Sequence, residues 1–270
     1  MNKILFFLSF FLFYANFTHG AIKAIPGEVI AIKDDGGFNQ QGQKHLKINF
    51  EKQTYILIPI PYTANNKSAQ FNGMDISIVK KDFGESRITI NDLSKVDLSK
   101  EDSERAFKES IKIKDAINSY SIDFNTSIDF VSPIPSGIIS SRYGKKRFIN
   151  NTPRSPHLSL DIAAPEGTPI EAPSQGRIIL TGNFFYAGNY LIIDHGYGLL
   201  SSYSHMSEVY IQTGDFINKG KIIGTVGSTG RVTGPHLHWT VYLNTVRINP
   251  ESLLKKDYLQ SILQISKDII

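Results

Sequence analysis

No cysteine occurs among the 270 residues. That absence excludes disulfides, thiolate metal sites, a cysteine nucleophile and a lipidated N-terminal cysteine. Any metal must therefore be held by histidine, aspartate or glutamate. Long apolar runs are missing too: after the first residues nothing approaches the run of about 18 that a membrane-spanning helix requires. Charge of one sign is scarce. Lys+Arg 29 against Asp+Glu 25 leaves +4, and no basic run exceeds Lys145-Lys146-Arg147. Spread over the whole chain, this balance is too weak to imply a nucleic-acid binder, and none is expected as a partner. There is no repeat of solenoid period and no helical stretch suited to a βαβ unit. Histidine is rare at seven residues, yet five of them fall between His157 and His238.

What is present describes a folded, exported protein. Apolar residues make up 41% and charged residues 20%, enough to bury ordinary cores, and the length predicts about two domains. Lys3 is followed by an apolar stretch from Ile4 to Tyr14, then by the small residues Thr18 and Gly20. A positive residue, a short apolar run and small residues form a secretory signal. We expect residues 1–20 to be removed and the mature chain to be soluble and to work outside the cytoplasm.

The pattern predicts a mainly β protein. Strands are expected at 28–33, 45–50, 54–60, 74–80 and 87–91, forming a small sandwich-like N-terminal domain over 21–98. Alternation in Asp75-Ile76-Ser77-Ile78 and Arg87-Ile88-Thr89-Ile90 marks half-buried strands. Ser99 with Asp102 three residues on opens an amphipathic helix over about 99–118, with Ala106, Ile113 and Ile117 at helical spacing. Residues 99–131 are read as this linking helix and a linker. From about 132 to 254 the chain is rich in Gly and Pro, with strands at 176–181, 189–194, 199–206, 221–226 and 237–243. Residues 255–270 are read as a tail.

Three motifs carry chemistry. In Gly234-Pro235-His236-Leu237-His238-Trp239, strand period two sends both imidazoles to one cleft and Leu237 to the core. In His157-Leu158-Ser159-Leu160-Asp161 a separation of four keeps His and Asp on one strand face, with Leu158 and Leu160 buried on the other. In Tyr203-Ser204-His205 the same parity places Tyr203 beside His205. His157, Asp161 and one histidine of the His-x-His pair would supply three ligands and leave a fourth position open, the layout of a catalytic zinc site. The two histidines left over suit acid/base and oxyanion work. His195 reads as strand-end structure. Tyr203 as an oxyanion donor, Asn189 as a substrate contact and Arg231 as a partner for a substrate carboxylate are further expectations.

These motifs, with Ala163-Ala164-Pro165-Glu166-Gly167-Thr168-Pro169 and Gly227-Ser228-Thr229-Gly230, occur in the order found in the lysostaphin-like (LytM-type) zinc endopeptidases, and residues from about 132 to 254 resemble that family. The resemblance implies an antiparallel β domain with a zinc groove. It implies that one Zn²⁺ is held by His157, Asp161 and His238, with His205 and His236 as the non-ligand catalytic pair. It further implies a peptidoglycan hydrolase acting on stem-peptide cross-links, with D-Ala–meso-diaminopimelate bonds expected, in the periplasm. A regulatory protein partner is left open. Ser159 departs from the Gly of many members, so altered groove contacts are expected there. The rival expectations are a non-catalytic regulator of another hydrolase and a wall-binding protein. Residues 21 to about 120 are expected to lie near the groove, either restricting access or positioning the enzyme.

Overall fold

A computed structural model describes residues 22–34, 36, 45–65, 69–71, 74–89, 98–122 and 126–267. The expected signal sequence and the strand end at 90–91 lie outside the described residues. No described helix is long and apolar enough to cross a membrane.

The first half contributes strands β1 (Ile22–Ala24), β2 (Val29–Lys33), β3 (Lys47–Phe50), β4 (Gln53–Pro59), β5 (Ala69–Phe71), β6 (Met74–Ile78) and β7 (Glu85–Ile88). They form two small sheets, β1-β6-β5 and β2-β4-β3, while β7 leaves to pair elsewhere. The two sheets share a core of Ile22, Ala24, Ile30, Ile32, Ile56, Ile58, Ile60 and Ile76. Alternation explains why β2 and β4 read as nearly continuous apolar runs. Ile30, Ile32, Ile56 and Ile58 face the sister sheet, while Val29, Ala31, Tyr55 and Leu57 face the rest of the molecule and join its main core.

Helix α1 (Lys100–Ile117) begins where the Ser99 hydroxyl accepts the Asp102 N–H at 3.0 Å. That bond satisfies one orphan donor of the first turn. No residue of α1 is fully buried, but Ile113, Ala116 and Ile117 pack against Phe184, Tyr190, Ile192, Leu200 and Tyr242.

The second half contributes β8 (Ile138–Ser141), β9 (Lys146–Ile149), β10 (Thr152–Arg154), β11 (Leu160–Ala163), β12 (Pro169–Glu171), β13 (Gly176–Phe184), β14 (Gly188–Asp194), β15 (Leu199–Val209), β16 (Phe216–Ile217), β17 (Ile222–Val226), β18 (His236–Leu243) and β19 (Val246–Ile248). Helices α2 (Pro250–Leu253) and α3 (Tyr258–Lys267) close the chain. A ten-stranded sheet is ordered β16-β13-β14-β15-β18-β11-β8, with β12, β17 and β19 attached. Trp239, Tyr203, Leu160, Leu191 and Leu237 fill its core, each 0% exposed.

The two halves are not independent. β7 pairs in parallel with β9, so the first half supplies a strand to a sheet built from 146–154. The stretch read as linker sends Ile128 and Phe130 into the main core. The stretch read as a tail is helix α3 in its middle. It packs Tyr258, Ile262 and Leu263 into the same core as Val29 and Ala31. The Tyr258 hydroxyl donates to Glu28 at 3.0 Å and receives the Val29 N–H at 3.1 Å. Gly27, at φ +86, stands against the Tyr143 ring with no room for a Cβ, and its carbonyl accepts the Asn249 N–H at 2.6 Å.

Candidate metal centre and groove

Three adjacent strands build the floor of a groove. β11 and β18 pair antiparallel with Asp161 directly opposite His238 and Ala163 opposite His236. β18 also pairs β15, with Ser204 opposite His238. Along β18 the period of two puts Leu237 and Trp239 in the core at 0% exposure and leaves His236 and His238 half-buried on the groove side.

His157, Asp161 and His238 converge, their ligand atoms all within 4.8 Å of one another. His157 Nε2 lies 3.0 Å from Asp161 Oδ1, His238 Nδ1 lies 2.7 Å from the same oxygen, and the two nitrogens are 3.3 Å apart. A tetrahedral ion with arms of about 2.0–2.1 Å has edges of about 3.3 Å, so a small outward shift of the Asp161 oxygen would bring the three atoms to three of its vertices. The protonation pattern supports the fit. His157 Nδ1 lies 3.1 Å from the Arg142 carbonyl, which can only accept, so Nδ1 carries the hydrogen. Nε2 then meets the Asp161 oxygen with either a proton between them or a cation in its place, so a bound ion would replace the proton that otherwise bridges the pair. The same carbonyl acts as the outer partner that fixes ring orientation at metal-ligating histidines. Burial pushes the Asp161 carboxyl upward. Hydrogen bonds and charge from His157 and His238 outweigh it and hold the group well below the carboxylate range.

His157 does not reach this place by strand parity. β11 begins only at Leu160, and His157 lies in the loop before it. Its N–H donates to the Lys145 carbonyl at 2.9 Å, and its carbonyl accepts the Gly144 N–H at 2.6 Å. Leu158 is half-buried rather than core. Ser159 is the buried member, its hydroxyl 2.7 Å from that of Thr240. Ser159 thus lies buried beside the ligand pair, on the same sheet face as Asp161 and His238, where it ties β11 to β18 and is not one of the residues lining the groove.

His205 and His236 flank the trio, with ring centroids 5.0 Å apart. Each donates Nδ1–H to a carbonyl, His205 to Thr229 and His236 to Gly234, both at 2.9 Å. Their Nε2 atoms are thereby left as acceptors, and His236 Nε2 is 4.0 Å from Asp161 Oδ1. Burial, then the charges of His238 and His236, push His205 down to about 3. Burial likewise lowers His238, with Asp161 opposing.

Parity fails at His205. Its φ is +67, and the β14–β15 register shifts between Asn189 and Leu191. Tyr203 therefore points into the core at 0% exposure, its hydroxyl 2.9 Å from that of Ser201, while Ser204 and His205 line the groove. Tyr203 is not an oxyanion donor in this structure. Left-handed backbone at a non-Gly residue costs about 1–3 kcal/mol and persists only where its surroundings hold it. Here the His205 N–H is tied to the Ala187 carbonyl at 2.7 Å, and the ring to Thr229.

Asn189 is also spent on structure. Its amide donates to the carbonyls of Met206 at 3.1 Å and Ser207 at 2.9 Å and accepts from Asn183 at 2.9 Å. His195 lies apart, bonded to the Gln175 carbonyl and the Ser201 hydroxyl, both at 2.7 Å. Arg231 reaches the groove with its guanidinium 4.2 Å over the Tyr186 ring.

The groove has a volume of about 490 Å³. One wall is the β13–β14 hairpin with Tyr186 and Ala187. Its Phe185 N–H donates to Glu109 of α1 at 2.6 Å. Gly188, at φ +64, lies against the Thr229 backbone so closely that no Cβ fits. The opposite wall holds Ile149, Arg147, Ile88 and Thr89, so the first half of the chain borders the site. Sequence reasoning placed neither Arg147 nor the Ile88–Thr89 edge at the site. The basic run at 145–147 was the one signal pointing to Arg147.

Residues 155–250 match the model of peptidase family M23. The chain carries an M23 peptidase domain of the LytM type. It is 39% identical over 112 residues to the peptidoglycan DD-endopeptidase ShyA of Vibrio cholerae, covering 41% of this chain and 26% of ShyA. It is 39% identical over 124 residues to the DD-carboxypeptidase/endopeptidase Mpg of Neisseria meningitidis, covering 46% and 28%. The chain thus spans less than a third of the length of these curated relatives. A solved M23 peptidase from Pseudomonas aeruginosa matches with a TM-score of 0.64 at 27% identity, covering 85% of this chain and 94% of that one. That likeness extends well beyond the M23 segment, into the β-rich first half.

Proposed function

We propose that the protein is a zinc metalloendopeptidase that hydrolyses peptide cross-links of peptidoglycan, D-Ala–meso-diaminopimelate bonds in particular, in the periplasm. The observation that carries this reading is the trio His157, Asp161 and His238, with two non-ligand histidines beside it in an open groove. The curated relatives named as peptidoglycan DD-endopeptidases support the substrate class.

His157, Asp161 and His238 would hold the ion. A bound zinc supplies a Lewis acid for the scissile carbonyl and lowers the pKa of a water it carries. The protein does the rest. Asp161 supplies charge compensation, and the Arg142 carbonyl orients His157. The Nε2 lone pairs of His205 and His236 face the groove. One ring accepts the proton of the attacking water and passes it to the leaving amine, and once protonated it donates to the developing oxyanion. Burial lowers His205, which keeps it unprotonated near neutral pH; it is the weaker base for that, and once protonated it gives its proton up easily. The groove walls at Tyr186 and at Ile88–Thr89 hold an extended peptide across the floor.

The test is hydrolysis of a purified, soluble cross-linked muropeptide dimer. Activity should vanish on chelation, return with about one equivalent of zinc, and be lost in His238→Ala. Persistent turnover after exhaustive chelation would reject the reading.

A further inference from the structure

Arg147 sits in the middle strand of the small sheet, between Ser86 of β7 and Arg154 of β10. Arg154 is its direct antiparallel partner. Like charges placed opposite one another destabilise a sheet, so this pairing calls for an anion. Arg147 lines the same groove as Asp161, His236 and Arg231. Its Nε is buried and has no hydrogen-bond partner. Among the described residues no salt bridge engages Arg147 or Arg154. Asp161 is the acid that acts on Arg147 through space, and its carboxylate is already committed to His157 and His238. A buried charged donor left idle is rare, and such a group demands an explanation. The Nε–H edge of a guanidinium, with the neighbouring Nη–H, matches the two oxygens of a carboxylate. Arg231 stands on the other side of the groove, held by its stacking on Tyr186 and close enough for the charges of Arg147 and Arg154 to act on it.

We propose that Arg147, with Arg231 across the groove, forms a carboxylate-binding subsite that selects substrates bearing a free carboxylate next to the scissile amide. This rests on the peptidase reading above. In the cross-link proposed there, the carbon that carries the amide nitrogen also carries a carboxylate, whereas the acylating D-Ala has none free. The subsite therefore recognises the amine side of the bond and sets polarity along the groove. A cross-link whose amide nitrogen has no neighbouring carboxylate, such as a glycine bridge, would leave Arg147 idle.

The experiment compares two soluble muropeptide dimers, one with that carboxyl free and one with it amidated. Each is titrated calorimetrically into the zinc-loaded full mature chain carrying His236→Ala to slow hydrolysis. The free acid should bind about tenfold more tightly, the scale of one charge-assisted pair. Arg147→Gln in the same background should bring the ratio near one, and Arg231→Gln should reduce it. The ratio is internal to each variant, so a partly unfolded preparation lowers both affinities alike. Wild-type kcat/KM should show the same preference, expressed mainly in KM. Equal affinity for the two dimers before Arg147 is changed overturns the subsite and leaves the peptidase reading standing. An unchanged preference in Arg147→Gln also overturns it. Binding of neither dimer removes the substrate class, and the subsite with it.

Discussion

The hydroxyls of Ser159 and Thr240, 2.7 Å apart and each 4% exposed, tie β11 to β18 beside the metal site. Ser159→Ala removes one partner and strands the other in the core. An unsatisfied buried hydroxyl costs about 1–3 kcal/mol, whereas replacing both partners by apolar groups of like shape is nearly neutral. Thr240→Val should cost a similar amount. The double variant should be more stable than the sum of the two losses, with a coupling of about 1 kcal/mol or more. At about 2–4 °C per kcal/mol for a chain of this size, each single change should lower Tm by roughly 2–12 °C. The assay is thermal or urea unfolding of the four proteins in a double-mutant cycle, with zinc content measured alongside. Zinc content should not move, because neither hydroxyl belongs to the ligand trio. Additive losses with no coupling, or loss of zinc in Ser159→Ala, would refute this account of the serine.

Three further outcomes are expected. His157→Ala and Asp161→Ala should lose zinc by elemental analysis, while His205→Ala and His236→Ala keep it and lose about 10²–10⁴ in kcat. Glu109→Ala frees the hairpin whose tip holds Tyr186 and Ala187; kcat/KM should fall about tenfold with zinc retained, measured on the soluble dimer. Burial pushes His195 down to about 4, so the folded state stays unprotonated there while the unfolded chain takes up a proton below about 6.5. Its contribution is fully present above about 6.5 and is lost as pH falls toward 4, up to about 3 kcal/mol. Urea midpoints across that window should fall less steeply in His195→Gln.

Local pattern reveals much of this molecule, for a simple reason. Where a strand alternates cleanly, as at His236-Leu237-His238-Trp239, parity decides which side chains meet the groove. The capped start of α1 is equally local, one serine hydroxyl on one N–H. Parity misleads where the backbone departs from an extended strand. The left-handed φ at His205 turns Tyr203 and His205 to opposite surroundings, and the bond that fixes it comes from Ala187, remote in sequence. His157 is set by a loop clasp to Gly144 and Lys145 rather than by a strand. The last residues carry few turn signals and read as a tail. Their apolar face makes sense only beside Val29 and Ala31, more than 200 positions away. The same shared core bears on the first half: cutting away residues 21 to about 125 would strip Val29 and Ala31 of β2 from α3 and uncover apolar surface, as well as removing the Ile88–Thr89 edge of the groove.

The central claim is that this groove cuts peptide cross-links. The most direct measurement is to digest purified diaminopimelate-type sacculi with the mature protein and identify the released muropeptides by mass. Cross-linked dimers should disappear into monomers that end in D-Ala and carry a free diaminopimelate amine, and Asp161→Ala should leave the dimers intact. Dimers that persist under wild-type protein carrying one zinc per chain would contradict the account.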